Sequence, residues 1–290
     1  MRKNLVKMVG FGPRTPINVP ITSARGFATV SVPLDEVKAI AARRDVKVND
    51  VVLALVAGAL RRYLAHHGGI PKRPLLAAMP VSLRGAGNVE YTTQATMVLA
   101  SLATHVVDPL RRLAAISEST GAAKAVTSHA RSVIPTDLPP IGLPWLLRAA
   151  TRIYGGAQRL GPFPPLANVV VSNIPGPQAP LYLAGARMLT YWPVSIVGHG
   201  LGLNVTLQGY CGSLDFGLVA ARNAVPNVRV LAAAIRAAHE ELKGLVLGRR
   251  PGAPTSGTKR KAARVTTVGR SVRAAQGREG GRQAVEGSSR

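Results

Sequence analysis

Residues Ala167–Pro177 read ANVVVSNIPGP and leave the backbone few choices. The valines in Asn168–Val171 are β-branched and suit a pleated, buried strand. The run stops at Ser172-Asn173, and Ile174-Pro175-Gly176-Pro177 follows. Pro175 fixes φ and removes an amide donor, Gly176 permits a positive φ, and Pro177 restricts the residue before it. A buried strand therefore ends in a rigid turn. Ser172 and Asn173 sit at its mouth, where side chains leave the sheet. Both residue types cap such turns through side-chain-to-backbone hydrogen bonds. The same position also suits the wall of a substrate channel.

The flanking sequence supplies strands and helices without a regular βαβ alternation. Gly26–Val32, Leu75–Leu83, Thr92–Thr104 and Ala167–Ile174 read as strands, and Leu181–Leu183 and Arg187–Thr190 as two short ones around Gly185. Pro193–Val197 and Leu201–Gly209 flank a Gly198-His199-Gly200 turn. Leu203–Tyr210 and Leu214–Arg222 form a hairpin across Cys211-Gly212-Ser213. Leu34–Arg44 is an amphipathic helix with Leu34, Val37, Ile40 and Ala41 on one face. Val51–Leu64, capped by Asn49 or Asp50, is apolar almost all round and is expected inside the protein. Asp108-Pro109 opens a helix to about Ala130, interrupted or weakened near Gly121. Trp145–Leu160 reads as helical, and Pro226 starts a last helix to about Leu247. This mixture predicts an α+β fold, a mixed β-sheet with packed helices.

Net charge is +24, of which residues 249–290 carry +9 through eleven Lys/Arg against Glu279 and Glu286. That stretch has no aromatic residue and no apolar period, so it is read as a disordered basic tail. The predicted organisation is residues 1–24 as linker, 25–247 as the folded domain and 248–290 as tail. A basic body suits an anionic surface. Nothing resembles a nucleic-acid motif, and aromatic platforms for bases are scarce, so no specific nucleic-acid partner is expected. Cys211, the only cysteine, excludes a disulfide framework and fits a reducing cytoplasm. The N-terminus has no signal-peptide pattern. The longest uncharged apolar run, Val51–Leu60, is too short to span a bilayer, so any membrane contact is expected to be peripheral, on the inner face.

Six stretches in order resemble one family: Pro16–Ala41, Val48–Leu64, Ala77–Arg84 (AAMPVSLR), Asn168–Pro177, Pro193–Val197 and Leu203–Leu218 (LNVTLQGYCGSLDFGL). Together they look like the C-terminal half of bacterial wax ester synthase/diacylglycerol acyltransferases, over roughly residues 13–247. The resemblance implies a half of chloramphenicol acetyltransferase type, packed against a similar half with the active site in a tunnel between them. It implies acyl-CoA as co-substrate, no bound cofactor, no metal and a neutral-lipid product. The other half carries a His-His-x-x-x-Asp-Gly motif whose second histidine is the general base. No such motif occurs in these 290 residues, where the only adjacent histidines, His66-His67, precede Gly-Gly and read as a helix C-cap. The expectation is therefore a truncated half that needs its N-terminal counterpart in trans, with no catalytic residue of its own. The alternative is a catalytically inactive module binding acyl-CoA or lipid, and an anionic membrane or lipid-droplet surface is a candidate partner.

The resemblance implies Asn49-Asp50, Arg84, Ser172, Asn173, Pro175 and Gly176 as substrate-binding or tunnel-lining residues. Asn49-Asp50 matches an Asn-Asp motif of the family and, as a helix start, also reads as an N-cap. Arg84 is suited to CoA phosphates or to solvent. Asp215-Phe216-Gly217 resembles a structural triplet of related acyltransferases, read here as core and edge polarity. Ser195 and His199 lack an acid partner and are not read as a nucleophile pair. His105, His129 and His239 show no metal-ligand spacing.

Overall fold

The computed structural model describes residues 10–82, 95–130 and 164–248. The readings made for Arg84, for the helix at Trp145–Leu160 and for the basic tail from 249 onward lie outside those residues.

Strand β1 (Arg25–Pro33) runs directly into helix α1 (Leu34–Arg44), followed by α2 (Val48–His66), β2 (Leu76–Ser82), β3 (Ala95–Ser101) and α3 (Pro109–Ala130). The second part holds β4 (Val169–Ile174), the two-residue strands β5 (Tyr182–Leu183) and β6 (Ala186–Arg187), the long strands β7 (Leu203–Tyr210) and β8 (Ser213–Ala221), and α4 (Val228–Leu247). Six strands form one sheet in the order β1-β8-β7-β4-β2-β3. β4 lies parallel to β7 and to β2, and the remaining neighbours are antiparallel. The sheet is mixed, as the irregular alternation of elements predicts.

One face of the sheet merges with the helices in a single apolar core. Val30 and Val32 of β1, Phe216 and Leu218 of β8, Val205 and Leu207 of β7, and Val169 and Val171 of β4 all join it. Their spacing of two residues is the strand period, so each strand sends alternate side chains to the helices. Helix α2 packs against α1, α3 and α4, and every residue from Asp50 to Leu60 is buried. An apolar surface on all sides is what a fully enclosed helix requires. Each fully buried Leu or Val contributes about 1.5–3 kcal/mol relative to exposure.

Several boundaries differ from the sequence reading. Neither Asn49 nor Asp50 is an N-cap: α2 starts at Val48, after Lys47 in extended conformation. Asp50 stands three residues into the helix, and its Oδ2 accepts the Lys47 N–H at 3.0 Å. Lysine has no acceptor to complete a reciprocal box. Helix α3 passes through Gly121 without a break, and Asp108 Oδ1 caps it by accepting the Arg111 N–H at 2.7 Å. Asn227, rather than Pro226, caps α4 through the Arg229 N–H. The β7–β8 turn is a two-residue loop with positive φ at Cys211 (44°) and Gly212 (83°), the geometry that matches the strand twist. Residues 10–24 hold no helix or strand, yet they are bound to the body: Ile17 is fully buried, and Asn18 Nδ2 donates to the carbonyls of Asn168 and Gly200.

Candidate functional site

Strand β4 carries the Asn168–Pro177 stretch through the middle of the sheet, and its end brings together two of the expected site residues, Asn49 and Asn173. Asn173 shares a face with Val169 and Val171, toward the helices, while Ser172 faces the other way. Asn173 Nδ2 reaches Asn49 Oδ1 at 3.4 Å, and Asn49 Nδ2 lies 3.9 Å from Met79 Sδ. The first turn of α2 therefore stands at the C-terminal end of β4, beside β2. Two half-buried amides meet there, each retaining hydrogen-bonding capacity. An amide pair can orient a hydroxyl or a carbonyl, but neither member takes up a proton near neutral pH.

Asp50 points elsewhere. It is 2% exposed and binds α3: Thr120 Oγ1 donates to its Oδ1 at 2.6 Å and Ser117 Oγ to its Oδ2 at 3.0 Å. With the Lys47 N–H, this carboxylate receives three hydrogen bonds. It fastens α2 to α3 and fixes the azimuth of α2, and so the position of Asn49 next to it. A groove of about 340 Å³, lined by Lys47, Asp50, Ser117, Thr120 and Gly121 among others, lies alongside.

Pro175 and Gly176 form an anchor behind β4. Gly176 does not take a positive φ. Glycine is required for another reason: a Cβ there would stand 2.1 Å from the Gly209 carbonyl oxygen. The turn is closed by Gln178, which donates to the Gly176 carbonyl at 3.1 Å and accepts the Gly212 N–H at 3.3 Å. The expected capping by Ser172 and Asn173 is thus replaced by Gln178, because Asn173 is engaged with Asn49.

The segment Tyr191–Val197 crosses the sheet face opposite the helices. Asp215, fully buried in β8, holds it: its Oδ2 accepts the Tyr191 N–H at 2.7 Å, while Ser31 and Ser213 hydroxyls donate to Oδ1 at 2.6 and 2.8 Å. Asn204 Nδ2 donates to Ser195 Oγ and to the Ile196 carbonyl, both at 3.0 Å. At Gly217 a Cβ would lie 1.8 Å from the Pro193 carbonyl oxygen, so only glycine lets the segment lie flat. The reading of Asp215 as edge polarity is corrected here. β8 is flanked by β1 and β7, and the acid is an internal clasp. The signal was present in the alternation of Asp215 and Gly217 on one strand face, but their partner is far away in sequence.

Three of the histidines are occupied structurally. His67 stacks on Tyr63 at 4.1 Å between ring centroids and its Nδ1 bonds the Tyr63 carbonyl at 2.8 Å, so the helix-end reading holds. His199 Nδ1 accepts the Ile21 N–H at 3.1 Å. His239 is 1% exposed between α4 and α1, with Glu36 Oε2 3.2 Å from Nε2 and Glu240 Oε1 3.5 Å from Nδ1. Burial pushes its pKa below the ordinary 6.5, against the pull of Glu36 and Glu240. The Glu36, His239 and Glu240 ligand atoms lie close enough to hold a cation, but the Lys243 ammonium already sits 2.6 Å from Glu36 Oε1. Among the described residues no helix is long and apolar enough to cross a membrane.

The α+β fold, a mixed sheet with packed helices, is shared with acyltransferase and condensation-type structures. The epimerization domain of tyrocidine synthetase B superposes with a TM-score of 0.52 at 10% identity, over 84% of this chain and 54% of that one, a likeness of fold alone. The solved wax ester synthase/diacylglycerol acyltransferase of Marinobacter aquaeolei VT8 superposes with a TM-score of 0.63 at 30% identity, over 84% of this chain and 56% of that one. Residues 92–243 match the WS/DGAT C-terminal domain, and residues 4–52 match the wax ester synthase/diacylglycerol acyltransferase catalytic domain. The chain belongs to the wax ester synthase/diacylglycerol acyltransferase family. It is 41% identical over 236 residues to a protein of Mycobacterium tuberculosis named as a diacylglycerol O-acyltransferase, covering 79% of this chain and 46% of that protein. It is 38% identical over 224 residues to the O-acyltransferase WSD of Acinetobacter baylyi, covering 76% and 46%. The chain spans about half the length of these relatives.

Proposed function

We propose that this chain serves as the C-terminal half of an O-acyltransferase that moves a long-chain acyl group from acyl-CoA to diacylglycerol or a fatty alcohol. The observation that carries the reading is the meeting of Asn49 and Asn173 at the end of β4, inside two of the stretches that carry the family resemblance. In this reading a catalytic half, in trans or on the same polypeptide, supplies the histidine. That histidine takes the acceptor hydroxyl proton, the oxygen attacks the thioester carbonyl, the C–S bond breaks and the CoA thiolate leaves with a proton. The amide pair orients acceptor or thioester at the shared wall. Acyl-CoA is a co-substrate, and no bound cofactor is required.

Exposed apolar side chains support a partner surface. Leu183, Leu189, Val194 and Ile196 are each more than 70% exposed, with Tyr182 and Trp192 among them. They lie on the β5–β6 hairpin, on the strap and, for Leu189, between the two. Apolar patches of this kind mark interaction surfaces. Helix α2, expected inside the protein, is enclosed by this chain's own helices.

The test is reconstitution. The chain alone, mixed with palmitoyl-CoA and dioleoylglycerol or hexadecanol, should give no ester. Adding the catalytic half of a full-length relative should restore ester formation that depends on that half's histidine. Asn49→Ala in this chain should then lower turnover by about tenfold, the size of one lost positioning contact. Turnover by the isolated chain that survives His66→Ala and His67→Ala would refute the reading. A soluble monomer with acyl-CoA affinity and none for a catalytic half would replace it with an independent lipid-binding module.

A further inference from the structure

Helix α3 begins beside a feature that the acyl-transfer reading does not use. Arg112 is 4% exposed, yet no carboxylate lies within ion-pair distance of it among the described residues. Its Nη1 donates to the carbonyls of Val106 and Val107, both at 3.0 Å, while Nε is buried without a partner. Arg61 reaches the Thr104 carbonyl in the same loop, and Arg62 pairs with Glu241 at 3.0 Å. Carbonyl dipoles hold the Arg61 and Arg112 guanidinium groups but do not cancel their charge. The three arginines, against the single carboxylate of Glu241, line a groove of about 260 Å³ with Gly58, Ala65, Ile70 and Val107. A Cβ at Gly58 would stand 3.6 Å from Arg112 Nη2, which places that donor beside the glycine in the groove wall.

A buried cation without a counter-charge is costly, and such a group is normally paired. Burial, and then the neighbouring Arg61, lower the Arg112 pKa from its ordinary value against the weaker pull of Glu241 and Asp108, neither of which reaches it as an ion pair. A dianion is the natural counterpart. Guanidinium groups match phosphate oxygens geometrically, and a phosphate accepts from several donors at once. We propose that Arg61, Arg62 and Arg112 form a binding site for a phosphate group, outside the acyl-transfer wall. The groove volume suits a phosphate or a small phosphate ester. The rim beside it is apolar, with Val107 75% exposed, which would accommodate the start of an acyl or glyceryl chain. The phosphate is therefore either free inorganic phosphate or a lipid headgroup.

The full chain should be titrated with inorganic phosphate at constant ionic strength set by sodium chloride. The expected result is saturable binding by calorimetry, a rise in melting temperature, and a shift of the Arg112 Nε–H resonance in ¹⁵N spectra. Arg61→Gln and Arg62→Gln, which leave the buried guanidinium in place, should each weaken binding about tenfold, one charge-assisted contact. Glu241→Gln should act in the opposite sense and tighten binding about threefold, an exposed charge effect that a purely structural role would not produce. Vesicles of phosphatidylcholine with phosphatidate, against phosphatidylcholine alone, separate the two sources. Phosphatidate-dependent sedimentation lost in Arg62→Gln assigns a lipid headgroup, and its absence alongside phosphate binding assigns the free ion. No response to phosphate beyond that to chloride, an unmoved Arg112 resonance, or equal affinities in all three variants overturns the site.

Discussion

Asn49 and Asp50 are adjacent, but the structure gives them opposite work. Asp50 is buried and receives hydrogen bonds from Lys47 N–H, Ser117 Oγ and Thr120 Oγ1. Asn49 is half-buried with one long contact to Asn173 and another to Met79. A hydrogen bond to a charged group contributes about 1.5–3 kcal/mol. Asp50→Ala removes three. The loss is partly relieved, since Thr120 Oγ1 also donates to the Ser117 carbonyl at 3.0 Å and Ser117, half-buried, can turn to water. Losing the negative charge in the first turn of α2 adds up to about 1 kcal/mol. The expected cost is about 3–4 kcal/mol, or about 6–16 °C in melting temperature for a domain of this size. Asn49→Ala should cost no more than about 0.5 kcal/mol. Urea unfolding followed by circular dichroism measures both. In a double-mutant cycle, Thr120→Val should cost at least about 1 kcal/mol less in the Asp50→Ala background than in the parent, because the shared bond is already gone. Equal costs for Asn49→Ala and Asp50→Ala, or a cycle without coupling, would refute the assignment of Asp50 as the tie between α2 and α3.

Gly217→Ala should detach the strap, since its Cβ cannot coexist with the Pro193 carbonyl. The Tyr191 bond to buried Asp215 would go with it, at a cost of about 2–3 kcal/mol. In a Trp145→Phe background the emission of Trp192, whose Nε1 donates to Ser31 Oγ at 3.1 Å, should shift to the red; unchanged emission would show the strap still seated. His239 should make stability pH-dependent. Its folded pKa lies below 6.5, so the unfolded chain binds the proton more readily, and stability is full above about 6.5 and falls as pH drops below it. His239→Gln should flatten the urea midpoint between pH 5.5 and 7.5, and a parent midpoint that rises on acidification would contradict the sign.

Much of the architecture follows from local sequence because periodicity and turn chemistry act over a few residues. The valines before Ser172-Asn173 make a strand wherever they are placed. Val51–Leu60 has no polar face and must be enclosed. Cys211-Gly212 between two apolar runs makes a hairpin. The family resemblance likewise rests on short stretches in a fixed order. What tertiary structure alone decided is which side chains meet. Asn49 and Asn173 stand 124 residues apart in sequence, and no local rule predicts their contact. Asp50 reads as a cap until Ser117 and Thr120 of α3 arrive beside it. Gly176 reads as conformational freedom and Gly217 as part of a structural triplet, yet both are demanded by backbone oxygens of distant segments, Gly209 and Pro193. No local pattern singles out Arg112, and only packing makes it a buried cation. Periodicity encodes how far a side chain is from its neighbours along the chain. The partners that desolvate it, and so set its charge balance and its chemistry, come from elements the local pattern does not name.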